Sequence, residues 1–310
     1  MEWKMHPKRR LKAGDIVEVK QPHEIYLTLD DSGCVNGLPF MPEMIRYCGK
    51  RYKVLYRIEK TCRDTTDSMT VSEFINDDVV YLDNARCSGI DHDGCQRGCM
   101  IFWKEEWLTH IDDVKPDVTY KAEDELILRK KLLTYFDIAK YFCQSTALSN
   151  ATIELNKVQR LKKIFADVKT GTYTIPRALK LIFLPVFRKL YKKIHNFQPA
   201  GKANSTPEET LNLKPGDLVE VKQLKEIITT LDKYGKNKGL EFSPDMKQFC
   251  GKQFKVRNRL DKMIIERSGR MRNVKNTVIL EGVICNCFYA FGGCPRKEFQ
   301  YWREIWLRRV

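Results

Sequence analysis

Four cysteines and one histidine lie within 38 residues of the chain, and thiolate and imidazole are the side-chain groups that bind zinc and related metal ions. The cysteines follow the spacing C-x24-C-x7-C-x3-C, with the histidine between the second and the third. Four thiolates can close a structural zinc site or hold an iron–sulfur cluster. The sequence therefore predicts a site for zinc or an iron–sulfur cluster at Cys62, Cys87, His92, Cys95 and Cys99.

The spacing leaves other roles open for these thiols. Zinc sites usually pair two short C-x2–4-C units, and only Cys95 and Cys99 form one here. Iron–sulfur spacings vary more, and Gly89, Gly94 and Gly98 let backbone amides approach a sulfur atom. The alternatives are structural thiols and a redox dithiol at Cys95 and Cys99. The dithiol is the weaker of the two, because C-x3-C lacks the tight C-x-x-C geometry that lowers a thiol pKa.

The chain contains one segment twice. Residues 11–54 align without a gap on residues 213–256, and 25 of the 44 pairs are identical. Near the end of each copy, GCQRGCMIFWKEEWL matches GCPRKEFQYWREIWL. Aligned residues that are identical in both copies are expected to serve the shared fold. Aligned residues that differ are expected to serve a function that one copy has lost or gained. We call residues 1–112 the first copy and residues 211–310 the second copy.

The candidate ligands are where the two copies differ. Two of the four thiols and the histidine are missing together from the second copy, and a ligand set loses its function once one member is lost. The joint loss favours a metal site in the first copy over independent core thiols, and predicts that the second copy is degenerate. The aligned pairs are Cys62 with Ile264, Cys87 with Cys285, His92 with Phe291, Cys95 with Cys294, and Cys99 with Glu298.

Each copy has the pattern of a small, mainly β module. A Gly-Asp turn precedes the β-branched runs IVEV and LVEV, and further strands are expected at KRYKVLYRIEK, VVYLDNARC and their counterparts. The tryptophan pairs at 103/107 and 302/306 are spaced to share one face, which favours core packing. We predict an α+β fold in which a helical segment joins two SH3-like barrels.

Residues 113–210 are expected to form a basic helical connecting segment and a flexible linker. Apolar residues recur at helical spacing over residues 123–142, and a second helix is expected from about Ser149 to Val168. A third stretch, residues 177–197, is basic at both ends and apolar in its centre. It suits a helix that lies at a membrane surface, and burial between the two copies is the alternative.

The positive charge of the chain is concentrated between the copies. The net charge is +15, and residues 121–204 contain 17 Lys and Arg against 6 Asp and Glu. This segment therefore favours an anionic membrane surface or a nucleic acid as partner, beside a protein partner. The N-terminal residues lack a secretory pattern, and an odd number of cysteines cannot pair completely. We expect a cytoplasmic protein, with peripheral membrane attachment as a variant.

The chain carries no phosphate-loop, dinucleotide-binding or serine-hydrolase motif. A binding or scaffold protein is therefore predicted rather than an enzyme, with a nucleic-acid-binding protein or an iron–sulfur redox subunit as alternatives. The pattern GD-x-VEVK … CGK … GC…FWKE-x-WL resembles an uncharacterised bacterial family with a Cys-rich repeat. The resemblance implies the domain unit and the cysteines of the first copy, and it implies no activity.

Overall fold

Two curled, antiparallel, five-stranded sheets, one in each copy, dominate a mixed α+β fold with few helices. The structure is a computed structural model, and it describes residues 10–64, 69–113, 121–183, 199–285 and 296–310. Within those ranges, each helix is too short or too polar to cross a membrane.

The strands of the first copy bring its end back to its beginning. They are β1 (Ile16–Val19), β2 (Cys34–Val35), β3 (Leu38–Pro39), β4 (Arg51–Arg57), β5 (Thr61–Asp64), β6 (Met69–Phe74), β7 (Val79–Arg86), β8 (Met100–Lys104) and β9 (Leu108–His110), with the helix α1 (Pro22–Tyr26) after β1. The main sheet has the order β8-β7-β4-β1-β9. In β1, Val17 lies opposite Tyr52 of β4 and His110 of β9. Val17 and Val19 are buried, as the two-residue period of a half-buried strand requires.

The segment between the copies contains strands as well as helices. Its elements are α2 (Ala122–Lys131), β10 (Tyr135–Asp137), β11 (Lys140–Tyr141), α3 (Leu148–Ala151), β12 (Thr152–Glu154), α4 (Lys157–Lys169) and the helix α5 over residues 175–183. The helix predicted over residues 123–142 therefore ends at Lys131. A hairpin replaces its second half, because Asp137 Oδ1 accepts a hydrogen bond (3.0 Å) from the N–H of Ala139 and fixes a tight turn.

The second helix of this segment also differs from its prediction, because it begins after Asn156 rather than near Ser149. The side chain of Asn156 accepts a hydrogen bond (2.9 Å) from the N–H of Gln159, which is a typical N-terminal cap. The third predicted helical stretch is described only in part, since residues 184–198 lie outside the described residues. Residues 199–210, where a linker is expected, contain neither helix nor strand.

The middle segment packs on the first copy. Strand β12 extends the hairpin of β5 and β6, with Thr152 opposite Phe74. Lys60, which follows β4, forms an ion pair with Asp167 of α4, and both side chains are fully buried. The segment expected over residues 113–210 is therefore tied to the first copy by a sheet and by a buried ion pair.

The second copy has the corresponding strand order, β20-β19-β16-β13-β21. Its elements are β13 (Leu218–Val221), α6 (Leu224–Thr229), β14 (Lys236–Asn237), β15 (Leu240–Glu241), β16 (Gln253–Arg259), β17 (Lys262–Ile264), β18 (Met271–Asn273), β19 (Thr277–Ile284), β20 (Phe299–Arg303) and β21 (Leu307–Arg309). Val219 lies opposite Phe254 and Arg309, as Val17 lies opposite its partners in the first copy. The short hairpin of β17 and β18 stands where the first copy has β5 and β6.

The tryptophan pairs form the centre of each core, as predicted. Trp103 and Trp107 are fully buried, and Phe40 contacts both rings edge-on at centroid distances of 6.3 and 5.2 Å. Trp302 and Trp306 are equally buried in the second copy. The members of each pair do not share a helix, because the first lies on a strand and the second in a 3₁₀ turn.

Candidate thiol site between the two copies

A small cavity brings together most of the predicted ligands. Its volume is about 30 Å³, which is room for a few water-sized bodies at most. Cys87, Cys95, Cys99 and His92 all line it, and a fourth cysteine, Cys143, joins them from the middle segment. We call this space the thiol cavity.

The loop between β7 and β8 carries three of the four thiols. It closes on itself, since the N–H of Cys87 donates to the carbonyl of Cys99 (2.8 Å) and the N–H of Cys95 donates to that of His92 (3.1 Å). Gly89 has a φ of +68°, and a Cβ at this position would collide with the carbonyl of Cys95. The loop therefore needs glycine here, both for its left-handed backbone and for its close approach.

The fourth thiol reaches the cavity because the middle segment is anchored next to it. The side-chain amide of Gln144 is buried, accepts from the N–H of Phe102 (2.8 Å) and donates to the carbonyl of Phe102 (2.8 Å). This pair of bonds attaches residue 144 to β8 and places Cys143 beside the loop. Sequence reasoning missed Cys143 because the residue has no motif around it and lies 44 positions beyond Cys99.

His92 has other partners than a metal ion in this arrangement. Its Nδ1 lies 2.6 Å from Glu43 Oε1, and its Nε2 lies 2.9 Å from the carbonyl oxygen of Phe142. Burial lowers the pKa of His92, but the hydrogen bond to Glu43 and the charge of that carboxylate outweigh it and raise the pKa overall. Both ring nitrogens face acceptors, so both act as donors, and His92 holds the loop against its neighbours.

Cys62 lies apart from the other predicted ligands. It is buried, it packs against Cys285 of the second copy, and it does not line the thiol cavity. Its carbonyl oxygen accepts a hydrogen bond (2.8 Å) from Arg296. The structure therefore brings together three of the four predicted thiols and separates the first, because β5 faces the second copy. Cys287 and Cys294 lie outside the described residues.

Three of the thiols around the cavity, those of Cys87, Cys99 and Cys143, have a raised pKa and favour their protonated form. Burial raises the pKa of Cys99 to about 12, although the nearby Arg97 guanidinium acts in the opposite direction. Burial also raises the pKa of Cys87 and of Cys143 above the usual range of a thiol. A reactive dithiol needs a lowered thiol pKa, so the raised pKa of Cys99 disfavours the redox alternative at Cys95 and Cys99.

The side-chain positions do not by themselves form a metal centre. Over the part of the chain that the structure describes, no three side chains of His, Cys, Asp or Glu lie close enough together to hold one ion. The cavity is lined by thiols, by apolar groups such as Met41 and Phe102, and by Arg97 and Arg296, and no described carboxylate lines it. This donor set suits a soft or borderline ion and not calcium or magnesium.

Buried charges join the two copies directly beside the cavity. Arg97 Nη2 lies 3.4 Å from Glu266 Oε2 and 2.9 Å from Glu298 Oε1. Arg296 Nη2 lies 2.7 Å from Glu266 Oε2, and its Nε lies 2.9 Å from Glu298 Oε1. Ser145 Oγ donates to Glu266 (2.9 Å) and accepts from both guanidiniums. We call these five residues the junction network.

Comparison with known proteins does not extend this picture. No protein-family model, no curated protein and no solved structure matches the chain.

Proposed function

We propose that this protein is a binding scaffold of two tandem SH3-like barrels, whose junction holds one thiolate-bound metal ion. One observation carries the proposal: Cys87, Cys95, Cys99 and Cys143 line the same small cavity, and their side chains would have to turn inward to bind one ion, since as placed no three described ligand side chains are close enough. Four thiolates complete the tetrahedral shell that structural zinc prefers. Once bound, the ion would connect the first copy to the middle segment, which supplies the fourth ligand.

The size of the cavity favours a single ion over a cluster. A volume of about 30 Å³ accepts a few water-sized bodies at most, which is enough for one ion. A four-iron cluster has eight inorganic atoms and needs considerably more room. Zinc is therefore the preferred cofactor, and an iron–sulfur centre becomes the alternative to be tested.

Two neighbours of the thiols would support such an ion, and deprotonation of the thiols would be the cost of binding it. Cys87, Cys99 and Cys143 give up protons on binding, since burial keeps their thiols protonated otherwise. The guanidinium of Arg97 lies on the cavity wall and offsets negative charge at Cys99. Phe102 covers another side and excludes water.

The direct test is the metal content of the full chain, purified without oxygen and measured by elemental analysis. We expect close to one zinc per chain in the parent protein. The variants Cys87→Ser, Cys99→Ser and Cys143→Ser should each lose most of it. Cys34→Ser is the matched control, because Cys34 is buried outside the cavity.

Two further variants separate this ligand set from the one that the sequence predicts. His92→Gln and Cys62→Ser should both retain zinc, since the amide of Gln can still donate a hydrogen bond that holds the loop, and Cys62 lies outside the cavity. If His92→Gln and Cys62→Ser both lost zinc and Cys143→Ser retained it, the ligands would be those predicted from the sequence. Iron with inorganic sulfide would establish a cluster instead, and a folded parent protein that binds no added zinc would refute the proposal.

A specific surface also favours an anionic membrane as a second partner. On α5, Ile175, Leu179 and Phe183 are 65%, 49% and 54% exposed, and their spacing places them on one face of the helix. Arg177 and Lys180 are exposed on the same helix. Apolar and basic groups combined in this way suit a helix that lies in the headgroup region of an anionic bilayer.

Vesicle sedimentation tests this second partner. The chain should pellet with vesicles that contain phosphatidylserine and remain in solution with pure phosphatidylcholine vesicles. The double variant Leu179→Asp/Phe183→Asp should stay in solution in both cases. Val158→Asp is the control, because Val158 is 64% exposed on another helix, α4. Equal sedimentation of the two variants would exclude α5 as the contact.

A further inference from the structure

A second, larger cavity lies beside the thiol cavity, in a cleft between the two copies. Its volume is about 470 Å³, which is within the range of small-molecule sites. The charged lining residues are arginines only, and among the described residues no carboxylate lines the cleft. We call it the arginine cleft. The lining residues that matter here are Arg86, Arg257, Arg259, Asn258, Ser88 and Phe299.

Two of these arginines lie against one aromatic ring. The guanidinium carbon of Arg86 is 4.1 Å from the ring centroid of Phe299, and that of Arg257 is 4.9 Å from it. Two cations on one ring repel each other, and burial and the charge of Arg257 both lower the pKa of Arg86. The ring of Phe299 holds both guanidiniums in place despite that repulsion.

The charge of this pair is not neutralised within the described part of the protein. Arg86 donates to the backbone carbonyls of Gly98 (2.8 Å) and Lys297 (3.1 Å), and no described carboxylate lies within ion-pair distance of Arg86 or Arg257. Arg259 differs, because it forms an ion pair with Glu304 at 2.7 Å. The cleft therefore contains two guanidiniums, those of Arg86 and Arg257, that have no carboxylate partner among the described residues. The guanidinium of Arg259 beside them is paired with Glu304.

The arrangement is specific to this cleft and does not belong to the shared fold. In the alignment of the copies, Arg86 corresponds to Ile284, Arg257 to Leu55 and Phe299 to Met100. Each of the three residues thus has an apolar counterpart. Each copy therefore forms its sheet with an apolar residue at the position where the other copy has an arginine. Folding alone does not require the arginine pair, which indicates a role in the cleft.

We propose that the arginine cleft binds the phosphate group of a small phosphorylated molecule. A guanidinium presents a planar fork of donors that matches phosphate oxygens, and two forks on one wall can hold one phosphate or two linked phosphates. A single-stranded nucleic acid fits less well, because Phe299 is only 8% exposed and already contacts both arginines, so it offers no face on which a base can stack.

Isothermal titration with inorganic pyrophosphate tests the proposal on the full chain. The parent protein should bind the probe, and Arg257→Gln should weaken binding by about tenfold or more, as loss of a charge-assisted contact implies. Arg257 is exposed, so this variant should fold normally. Arg272→Gln is the control, because Arg272 is an exposed arginine of the same copy that does not line the cleft. Arg86→Gln should weaken binding as Arg257→Gln does.

The outcomes also separate this site from the metal site. Binding should persist in Cys143→Ser, because Cys143 lines only the thiol cavity, whereas Cys87 and Cys95 line both the thiol cavity and the arginine cleft. The proposal would be overturned if Arg257→Gln and the parent protein bound pyrophosphate with equal affinity. It would also be overturned if the parent protein did not bind pyrophosphate. An oligonucleotide that binds through Arg257 when pyrophosphate does not would assign the cleft to nucleic acid instead.

Discussion

Arg97 and Arg296 occupy equivalent positions in the two copies, and both bind the carboxylate of Glu266. They also share Glu298, which stands where the first copy has Cys99. The copies are therefore joined through the same loop position of each, and a glutamate of the second copy takes the place of a thiol of the first.

Removal of one junction arginine should destabilise the protein strongly. In Arg296→Met the carboxylate of Glu266 stays buried with Arg97 as its remaining cation, and breaking a buried pair in this way costs about 3–5 kcal/mol. Urea unfolding of the full chain measures the loss. Arg270→Met is the control, since Arg270 is exposed on the same copy. Equal unfolding midpoints for the two variants would show that the junction contributes little.

The junction should also make the protein sensitive to acid. Burial acts to raise the pKa of Glu266, but the charges of Arg296 and Arg97 outweigh it and lower the pKa to about 2. A glutamate with a lowered pKa stabilises the folded state above its unfolded pKa of roughly 4.3, and this contribution is lost as the pH falls from there towards 2. Glu266→Gln should therefore flatten the fall in stability between pH 5 and pH 2, which we would follow by urea unfolding at each pH. An unchanged slope would contradict this assignment.

The ion pair of Lys60 and Asp167 should hold the middle segment on the first copy. Asp167→Asn leaves the ammonium of Lys60 buried without an opposite charge, and we expect a loss of about 3–5 kcal/mol. Hydrogen exchange should show that α4 opens first. Glu154→Gln, an exposed carboxylate in the same segment, is the control. Lys60→Met combined with Asp167→Leu should recover most of the stability, because it removes both charges.

The loop of the thiol cavity should tolerate no side chain at Gly89. Gly89→Ala adds a Cβ that collides with the carbonyl of Cys95, in addition to the strain of a positive φ. Gly282→Ala is a matched control, because its φ is +72° and its Cβ would have no atom within 4 Å. In thermal unfolding, Gly282→Ala should lower the free energy of unfolding by about 1–2 kcal/mol, because only the strain of the positive φ is added. Gly89→Ala should cost more and should reduce zinc content, and equal costs would show that the loop can shift.

The elements that rest on local patterns were predictable. The first strand of each copy, the Gly-Asp turn before it and the buried tryptophans all follow from short runs of residue types. The helix predicted over residues 123–142 failed in its second half, where Asp137 forms a turn that helical periodicity does not reveal. The hairpin of β5 and β6 also went unpredicted, because its apolar alternation is weak.

The sequence by itself determined that two similar modules exist and that the first is richer in thiols. Only the tertiary structure decided which thiols meet: Cys143 joins Cys87, Cys95 and Cys99, whereas Cys62 turns to the second copy. The physical reason lies in the range of the contacts. Strands and turns form from neighbouring residues, but the thiol cavity depends on Gln144 reaching β8 across 42 positions, and on arginines from both copies sharing one carboxylate.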